Sequence, residues 1–212
     1  MVDLTQMRDR VRTDLHDEDS QNYRWTDTEL DRHIDHALRE FSIAQPREQT
    51  VVLSTTAGSR DLSLSSLTDL VQVEATEFPK DKYPPIYVQF SIWESTLTML
   101  VDQAPGAAEE VKVFYGKLHT LDATTSTIPP QMEDLVAAGS VGYAAVEWSS
   151  FATNRVNVGG SDTWRQYLTW GQQRLAYFHQ RLVKLSRKGS LRARRFYTPA
   201  RGKPSQTQVT GP

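Results

Sequence analysis

The sequence predicts an α+β protein, mainly an α-helical bundle of about four helices, with an inserted small antiparallel β-layer and an extended C-terminal tail. Near both ends of the chain, apolar residues recur every three or four positions, as on one face of a helix. Residues 50–118 instead alternate polar and apolar residues and are rich in β-branched types. Apolar residues become scarce after residue 188. The predicted organisation is therefore a helical bundle from 1–49 and 128–188, a β-insertion at 50–118 and a basic tail at 189–212.

The first two helices each have an apolar stripe and a capping signal. The stripes are Leu4, Met7, Val11 and Leu15, and then Leu30, Ile34, Leu38 and Phe41. Asp3 and Gln6 have the spacing of a reciprocal capping box at the start of the first helix. Thr26 and Glu29 have the same spacing at the start of the second helix, where Trp25 precedes the cap. These signals predict two amphipathic helices with defined starts.

Residues 50–118 contain the strand signals of the predicted β-layer. Residues 50–55 and 61–64 flank the turn sequence Ala57-Gly58-Ser59, and this combination predicts a hairpin. Further strands are predicted at 71–75, 87–93, 97–100 and 111–115, with Ala104-Pro105-Gly106 as the turn between the last two. We therefore expect a small antiparallel layer inserted between helices.

The helices predicted after the β-layer have faces suited to close packing. Pro129-Pro130 opens the third helix, one face of which has the small residues Ala138, Gly142, Ala145 and Ser149. In the fourth helix, apolar residues alternate at spacings of four and three, which is typical of a seam that packs along another helix. The predicted seam consists of Trp164, Leu168, Gly171, Leu175, Phe178, Leu182 and Leu185. Gly189 is the predicted C-terminal cap.

Charge is divided unevenly along the chain. The net charge is −2, but 11 basic and no acidic residues follow Asp162, whereas the first 162 residues have 13 basic and 26 acidic residues. This division predicts that the tail contacts an acidic surface, which in a homo-oligomer can be a neighbouring copy. The predicted docking residues are Lys188, Arg192, Arg194, Arg195, Phe196, Tyr197, Arg201 and Lys203.

No combination of residues in the sequence indicates catalysis or cofactor binding. The chain has no cysteine, which excludes disulfides, thiol catalysis and cysteine-based zinc sites. The motifs of nucleophile elbows, phosphate-binding loops and dinucleotide-binding turns are absent from the sequence. We expect a protein that is not an enzyme, with no catalytic residues, no metal and no cofactor.

Three sets of polar residues are interpreted as structural, and not as catalytic or metal-binding. His33 and His36 could share a helix face but lack a third metal ligand, so we expect a solvated helix face. The acidic residues between 14 and 19 lack the spacing of a calcium loop and are predicted to form a solvated loop. His119 has no catalytic partner and is predicted to be a structural histidine at a strand end.

With these elements in order, the chain resembles the head-to-tail adaptor, or connector, proteins of tailed phages. The N-terminal part has a short helix, an acidic loop, Trp25-Thr26-Asp27-Thr28-Glu29-Leu30 and then His36-Ala37-Leu38-Arg39-Glu40-Phe41. The resemblance continues through Val111-Lys112-Val113-Phe114-Tyr115, His119, Leu121, Ile128-Pro129 and the helix rich in small residues. It covers most of residues 4–187 as an order of motifs.

The resemblance implies a structural virion protein of the neck region that is present in the host cytoplasm during assembly. It implies a dodecameric ring of copies beneath the portal protein, followed by a downstream stopper or tail protein. It also implies a C-terminal segment that reaches onto the portal or a neighbouring subunit. Double-stranded DNA is expected to pass through the channel without specific binding, and no membrane association is expected.

Two other functions remain open. A nucleic-acid-binding protein could use the basic tail, in which Phe196 and Tyr197 lie among arginines and could stack on bases. The chain could also be another neck or tail component, such as a stopper or tail-completion protein, or have a β-domain that binds a receptor glycan. Exposed aromatic residues within 86–93 would favour the glycan-binding domain.

Overall fold

The protein divides into two compact units in this computed structural model, which describes residues 2–152 and 162–196, with side chains described to residue 187. The first unit comprises Met1–Arg47 and Lys117–Ser186, and the second is built on Glu48–Gly116. The helices are α1 (Leu4–Leu15), α2 (Asp27–Ala44), α3 (Glu133–Ala152) and α4 (Thr163–Phe196), with a 3₁₀ turn at Pro130–Met132. The strands are β1 (Arg47–Ser54), β2 (Asp61–Ser63), β3 (Leu70–Glu77), β4 (Tyr87–Val88), β5 (Phe90–Trp93), β6 (Thr96–Met99) and β7 (Glu110–Lys117). The predicted α+β class is confirmed.

The helical unit has one apolar core to which all four helices contribute. Its fully buried side chains include Met7, Val11, Leu15, Leu30, Ile34, Phe41, Val136, Val141 and Phe178. Helix α3 is the most apolar of the four and is buried on most of its circumference, as expected of a helix enclosed by others. Among the described residues, no helix is both long and apolar enough to cross a membrane.

Both predicted capping boxes are confirmed. The Asp3 carboxylate accepts the Gln6 backbone N–H at 2.8 Å, and the Gln6 side chain accepts the Asp3 N–H at 3.1 Å. At α2, the Thr26 hydroxyl accepts the Glu29 N–H while the Glu29 carboxylate accepts the Thr26 N–H at 2.7 Å. Trp25 is buried immediately before this cap. These reciprocal bonds satisfy backbone donors that have no partner inside the helix.

The loop between α1 and α2 differs from the prediction because it is organised around a buried ion pair. Arg12 is 4% exposed, and its guanidinium donates to the Asp17 carboxylate at 2.7 Å. The same guanidinium donates to the Trp25 carbonyl at 3.0 Å and to Asp27 at 2.7 Å, and lies 3.6 Å from the Tyr23 ring centroid. Asp17 is therefore not solvated as predicted, because its charge is matched by an arginine five residues earlier.

The β-unit consists of two small sheets that share one core. The first has the strand order β1-β7-β3-β4, and the second has the order β2-β6-β5. Val111 and Val113 of the first sheet pack with Leu62, Leu97 and Met99 of the second. Burying one face of each sheet in this way is the usual means by which small sheets are stabilised.

The predicted hairpin between residues 50–55 and 61–64 is wrong. Strand β1 lies in the first sheet beside β7, whereas β2 lies in the second sheet beside β6. The turn at Gly58, where φ is +75°, redirects the chain from one sheet to the other. The predicted strand at 87–93 is divided between both sheets, because β4 pairs with β3 and β5 pairs with β6.

Helix α4 extends beyond its predicted end. It continues to Phe196, so Gly189 lies inside the helix and does not cap it. One internal glycine costs only about 1 kcal/mol relative to alanine. The sequence from 190 to 196 contains leucine, alanine and arginine, which favour helix, and no proline. The remainder of the predicted tail, 197–212, lies outside the described residues.

Replacing Arg12 by alanine tests the role of the buried ion pair. Arg12→Ala leaves the buried Asp17 charge uncompensated and should lower the free energy of unfolding by about 3–5 kcal/mol in urea denaturation. Arg39→Ala is the matched control, because Arg39 pairs with Asp35 at 2.9 Å on the surface, with side-chain exposures of 67% and 57%. The control should lose about 0.5 kcal/mol or less. Equal losses in the two variants would contradict a structural role for the buried pair.

Candidate interaction surfaces

The predicted seam of α4 lies on the side of the helix that faces the bundle. Gly171, Phe178 and Leu182 are buried, and the other four residues are partly buried. Those four are Trp164, Leu168, Leu175 and Leu185. The structure therefore brings all seven seam residues to one face. Sequence spacing alone did not identify the helix against which this face packs.

Glycines on α3 and α4 allow these two helices to approach closely. A Cβ added at Gly142 would lie 2.8 Å from the Leu175 side chain and 3.2 Å from its backbone nitrogen. A Cβ added at Gly139 would lie 3.0 Å from the Phe178 ring. On the facing helix, a Cβ at Gly171 would lie 3.0 Å from the Ala145 side chain. The seam of α4 therefore packs against the small residues of α3.

Helix α4 is strongly basic on its outer side. Arg174 lies 3.6 Å from Asp14 and Arg165 lies 3.6 Å from Asp162. Arg181 and Lys184 are exposed, and neither forms an ion pair with an acid in the part of the chain that the structure describes. Arg181 and Lys184 therefore contribute positive charge that no described acidic residue offsets in an ion pair.

Part of the predicted docking segment continues this basic helix. Lys188, Arg192, Arg194, Arg195 and Phe196 lie on the backbone of α4, but their side chains are not described. Tyr197, Arg201 and Lys203 lie outside the described residues. The docking role of all eight residues stays a prediction.

The histidines of α2 contact carboxylates of the protein. His33 is 6% exposed, so the predicted solvated face is wrong at this position, and its Nε2 lies in close contact with the Glu147 carboxylate at 2.6 Å. This is not an aligned hydrogen bond. Burial lowers the pKa of His33 below its ordinary value. Among the described residues, no group of three potential ligands could hold a metal ion.

A second polar cluster joins three helices near His36. The His36 ring stacks on Tyr143 of α3, with centroids 4.1 Å apart, and its Nε2 lies 3.7 Å from Glu40. His179 of α4 lies 3.1 Å from the same Glu40 carboxylate and 3.3 Å from the Tyr143 hydroxyl. Burial, followed by the Glu40 carboxylate, raises the pKa of Tyr143. This cluster connects α2, α3 and α4 and can stabilise the packing of these three helices.

His119 has the structural role expected of it. It is 8% exposed, with Nδ1 2.8 Å from the Thr127 carbonyl oxygen and Nε2 3.1 Å from that of Gln45. Its backbone N–H donates to the Ser42 hydroxyl at 3.0 Å. Burial lowers the pKa of His119. The side chain connects the end of α2 to the loop before α3.

One aromatic residue of the β-unit is strongly exposed, and it lies within the range 86–93 considered in the sequence analysis. Tyr87 and Phe90 are partly buried, whereas Trp93 is 79% exposed at the end of β5. Tryptophan is highly buried on average and is enriched in binding hot spots, so this exposure is unusual. Trp93 is a candidate interaction residue, and its exposure meets the condition given above for a glycan-binding β-domain.

Replacing Gly142 with leucine tests the close approach of α3 and α4. The new side chain would overlap Leu175, and overpacking of this kind should lower the free energy of unfolding by about 1–3 kcal/mol. Ser150→Leu is the matched control, because Ser150 is exposed on the same helix. Thermal and urea unfolding should show a change within about 0.5 kcal/mol for the control. A Gly142→Leu variant as stable as the control would refute the contact.

The two buried histidines predict a pH dependence of stability. The pKa values of His33 and His119 are both lowered from the ordinary 6.5 in the folded protein. As the pH falls, these histidines therefore become protonated in the unfolded chain at a higher pH than in the folded chain. The free energy of unfolding should be fully retained above about pH 7 and should fall as the pH drops through about 6. Urea denaturation across this range should give a flatter profile for the His33→Gln, His119→Gln double variant. Exposed His16→Gln is the control, and an unchanged slope in the double variant would contradict the assignment.

A family model connects the chain to known proteins. The model described as SU10 adaptor protein matches residues 2–202, which is nearly the whole chain. No curated protein matches the chain. One matching solved structure is titled "Neck of empty GTA particle computed with C6 symmetry", with 12% identity over 79% of this chain and 87% of that chain. Its TM-score is 0.29, which is too low to support an argument about fold or function.

Proposed function

This chain belongs to the SU10 adaptor protein family, and we propose that it works as a head-to-tail adaptor of a tailed double-stranded DNA phage. In this proposal, copies of the chain form a ring under the portal protein, connect the capsid to the tail and extend the DNA channel. The observation that carries the proposal is the family match over residues 2–202. The protein acts mechanically and not as an enzyme.

Exposed apolar side chains on the helical unit support side-by-side packing of copies. Ile43 on α2 is 66% exposed, and Tyr177 and Val183 on α4 are 52% and 51% exposed. These side chains lie on different helices of one unit, as a head-to-tail contact between identical copies requires. The proposed ring uses them as the apolar centres of its contacts, surrounded by the charged residues of both helices.

The charge of the body supports a channel through which DNA slides. The first 162 residues have 13 basic and 26 acidic residues, so several copies in a ring would repel phosphate. Attraction to phosphates is what makes protein–DNA binding tight, and an acidic wall avoids it. Double-stranded DNA is therefore a passing cargo in this proposal.

The basic end of the chain is the proposed attachment element. The seam of α4 packs against α3. The basic residues at the C-terminal end of α4 follow this packed part in the sequence. An acidic surface on the portal or on a neighbouring copy would neutralise this charge and steer association. A downstream stopper or tail protein would bind the completed ring in the virion neck, after assembly in the host cytoplasm.

Native mass spectrometry with the portal ring of the same phage tests this function. The full chain should form a stoichiometric ring-on-ring complex. Arg192→Gln, Arg194→Gln and Arg195→Gln together should weaken the complex at least about tenfold, because charged contacts steer and stabilise docking. The matched control is Arg24→Gln, Arg32→Gln and Arg39→Gln, which removes three exposed cations from the acidic part of the chain. The control should still form the complex.

A DNA-binding measurement distinguishes the rival function. A nucleic-acid-binding protein would show a steep decrease of DNA affinity with salt, which the same three C-terminal substitutions would reduce. The adaptor should instead bind the portal and show no salt-dependent retention of duplex DNA. Tight DNA binding without any portal complex would refute the adaptor function.

A further inference from the structure

The three-stranded sheet of the β-unit has one buried face and one outer face. Strand register pairs Ile92 with Leu97, and Leu97 with Leu62, so these side chains point to the same side. Leu97 and Leu62 are buried in the core of the unit. Because side chains alternate along a strand, the residues between them point to the opposite side.

The outer face contains a tryptophan among small polar side chains. Register places Trp93, Thr96 and Ser63 in one row across the three strands. Ser91, Thr98 and Asp61 form the adjacent row, in which the Thr98 hydroxyl donates to Asp61 at 2.6 Å. The neighbouring side chains are short, which leaves the Trp93 ring 79% exposed. An indole presented in this way has a free face for stacking.

One acidic residue is adjacent to Trp93, because Glu94 follows it directly in the β5–β6 turn and is exposed. Asp61 lies on the same face of the sheet, two strands away in the adjacent row. Residues 48–116 have ten acidic and four basic side chains, a net charge of −6. The Arg60 guanidinium, whose charge is included in this total, donates to the carbonyls of Val101 and Asp102 at 2.9 and 2.8 Å.

An exposed indole next to one carboxylate, on a unit with a net negative charge, suits a ligand rich in arginine. A guanidinium stacks on the face of tryptophan and pairs with a neighbouring carboxylate at the same time. The chain itself supplies such a ligand, because residues 187–212 have seven basic and no acidic residues. This segment is basic and the β-unit has a net negative charge. Their charge complementarity identifies the segment as the ligand of the sheet face around Trp93.

We propose that the outer face of the β2-β6-β5 sheet, centred on Trp93, is the receptor for the arginine-rich C-terminal segment of a second copy of this chain. The inference rests on the proposed ring because the ring brings the second copy near. Helix α4 is described to Phe196, and the 16 residues beyond it could span up to about 55 Å when extended. This reach is sufficient to cross to a neighbouring protomer of ordinary size.

Isotope-resolved cross-linking of the full chain tests this receptor. The chain has no cysteine, so Ser95→Cys, in the turn beside Trp93, can be labelled uniquely with a benzophenone maleimide. Labelled chains are mixed with ¹⁵N-enriched chains that have the natural sequence, both alone at high concentration and bound to the portal ring. After irradiation, the expected cross-links join residue 95 of one isotope to residues 188–212 of the other.

Variants in the labelled chain separate the proposed contact from chance proximity. Adding Trp93→Ala should lower the yield of these cross-links about tenfold, as loss of a well-placed cation–π contact allows. Tyr83→Ala is the matched control, because Tyr83 is 97% exposed in the same unit but follows Lys82 rather than preceding an acid. The control should keep the yield, and about 0.5 M salt should reduce it.

Other outcomes overturn the inference. These outcomes are cross-links only within single chains, cross-links to regions other than 188–212, or a yield that Trp93→Ala leaves unchanged. Circular dichroism and the melting temperature of Trp93→Ala exclude unfolding as the cause of a loss. A chain that joins the portal ring but gives one of these outcomes refutes the receptor alone. A chain that gives the expected cross-links but never binds the portal refutes the adaptor function alone.

Discussion

The close approach of α3 to α4 is the constraint on which the helical unit depends. Helix α3 is enclosed on most sides, and its glycines allow Leu175 and Phe178 of α4 to lie against its backbone. Without that space, the α4 seam could not be buried while α1 and α2 also pack on α3. The packing of α4 also determines where its basic outer side lies, so one steric condition governs both the core and the charged surface.

The polar residues around this core strengthen the same arrangement. The Glu40 carboxylate contacts histidines of α2 and α4, while the His36 ring stacks on Tyr143 of α3. His119 joins the end of α2 to the loop that precedes α3. The contacts of His179 with Glu40, of His36 with Tyr143 and of His119 with Gln45 connect segments that are distant in sequence. His36, His119 and His179 therefore connect different segments of the helical unit.

Local signals in the sequence predicted the elements well, and contacts between distant residues limited the rest. The Thr26 and Glu29 capping box needs only four consecutive residues, so the sequence was sufficient to identify it. Burial of His33 depends on Glu147, which lies on another helix. The hairpin at Gly58 had a correct turn signal, but β1 takes its neighbour from β7 at the far end of the insertion. The seam of α4 was recognisable from spacing, whereas its fit to α3 required the backbone geometry.

The buried pair of Arg12 and Asp17 also limits how this sequence can diverge. Loss of Arg12 removes the ion-pair partner of the buried Asp17 carboxylate, and loss of Asp17 leaves the buried Arg12 guanidinium with only the more exposed Asp27, so neither position can change alone at small cost. Two apolar residues could replace the pair, but each single step toward that state passes through a destabilised protein. Selection should therefore retain or replace the two residues together. Across the family, we expect these positions to covary even where the overall identity between members is very low.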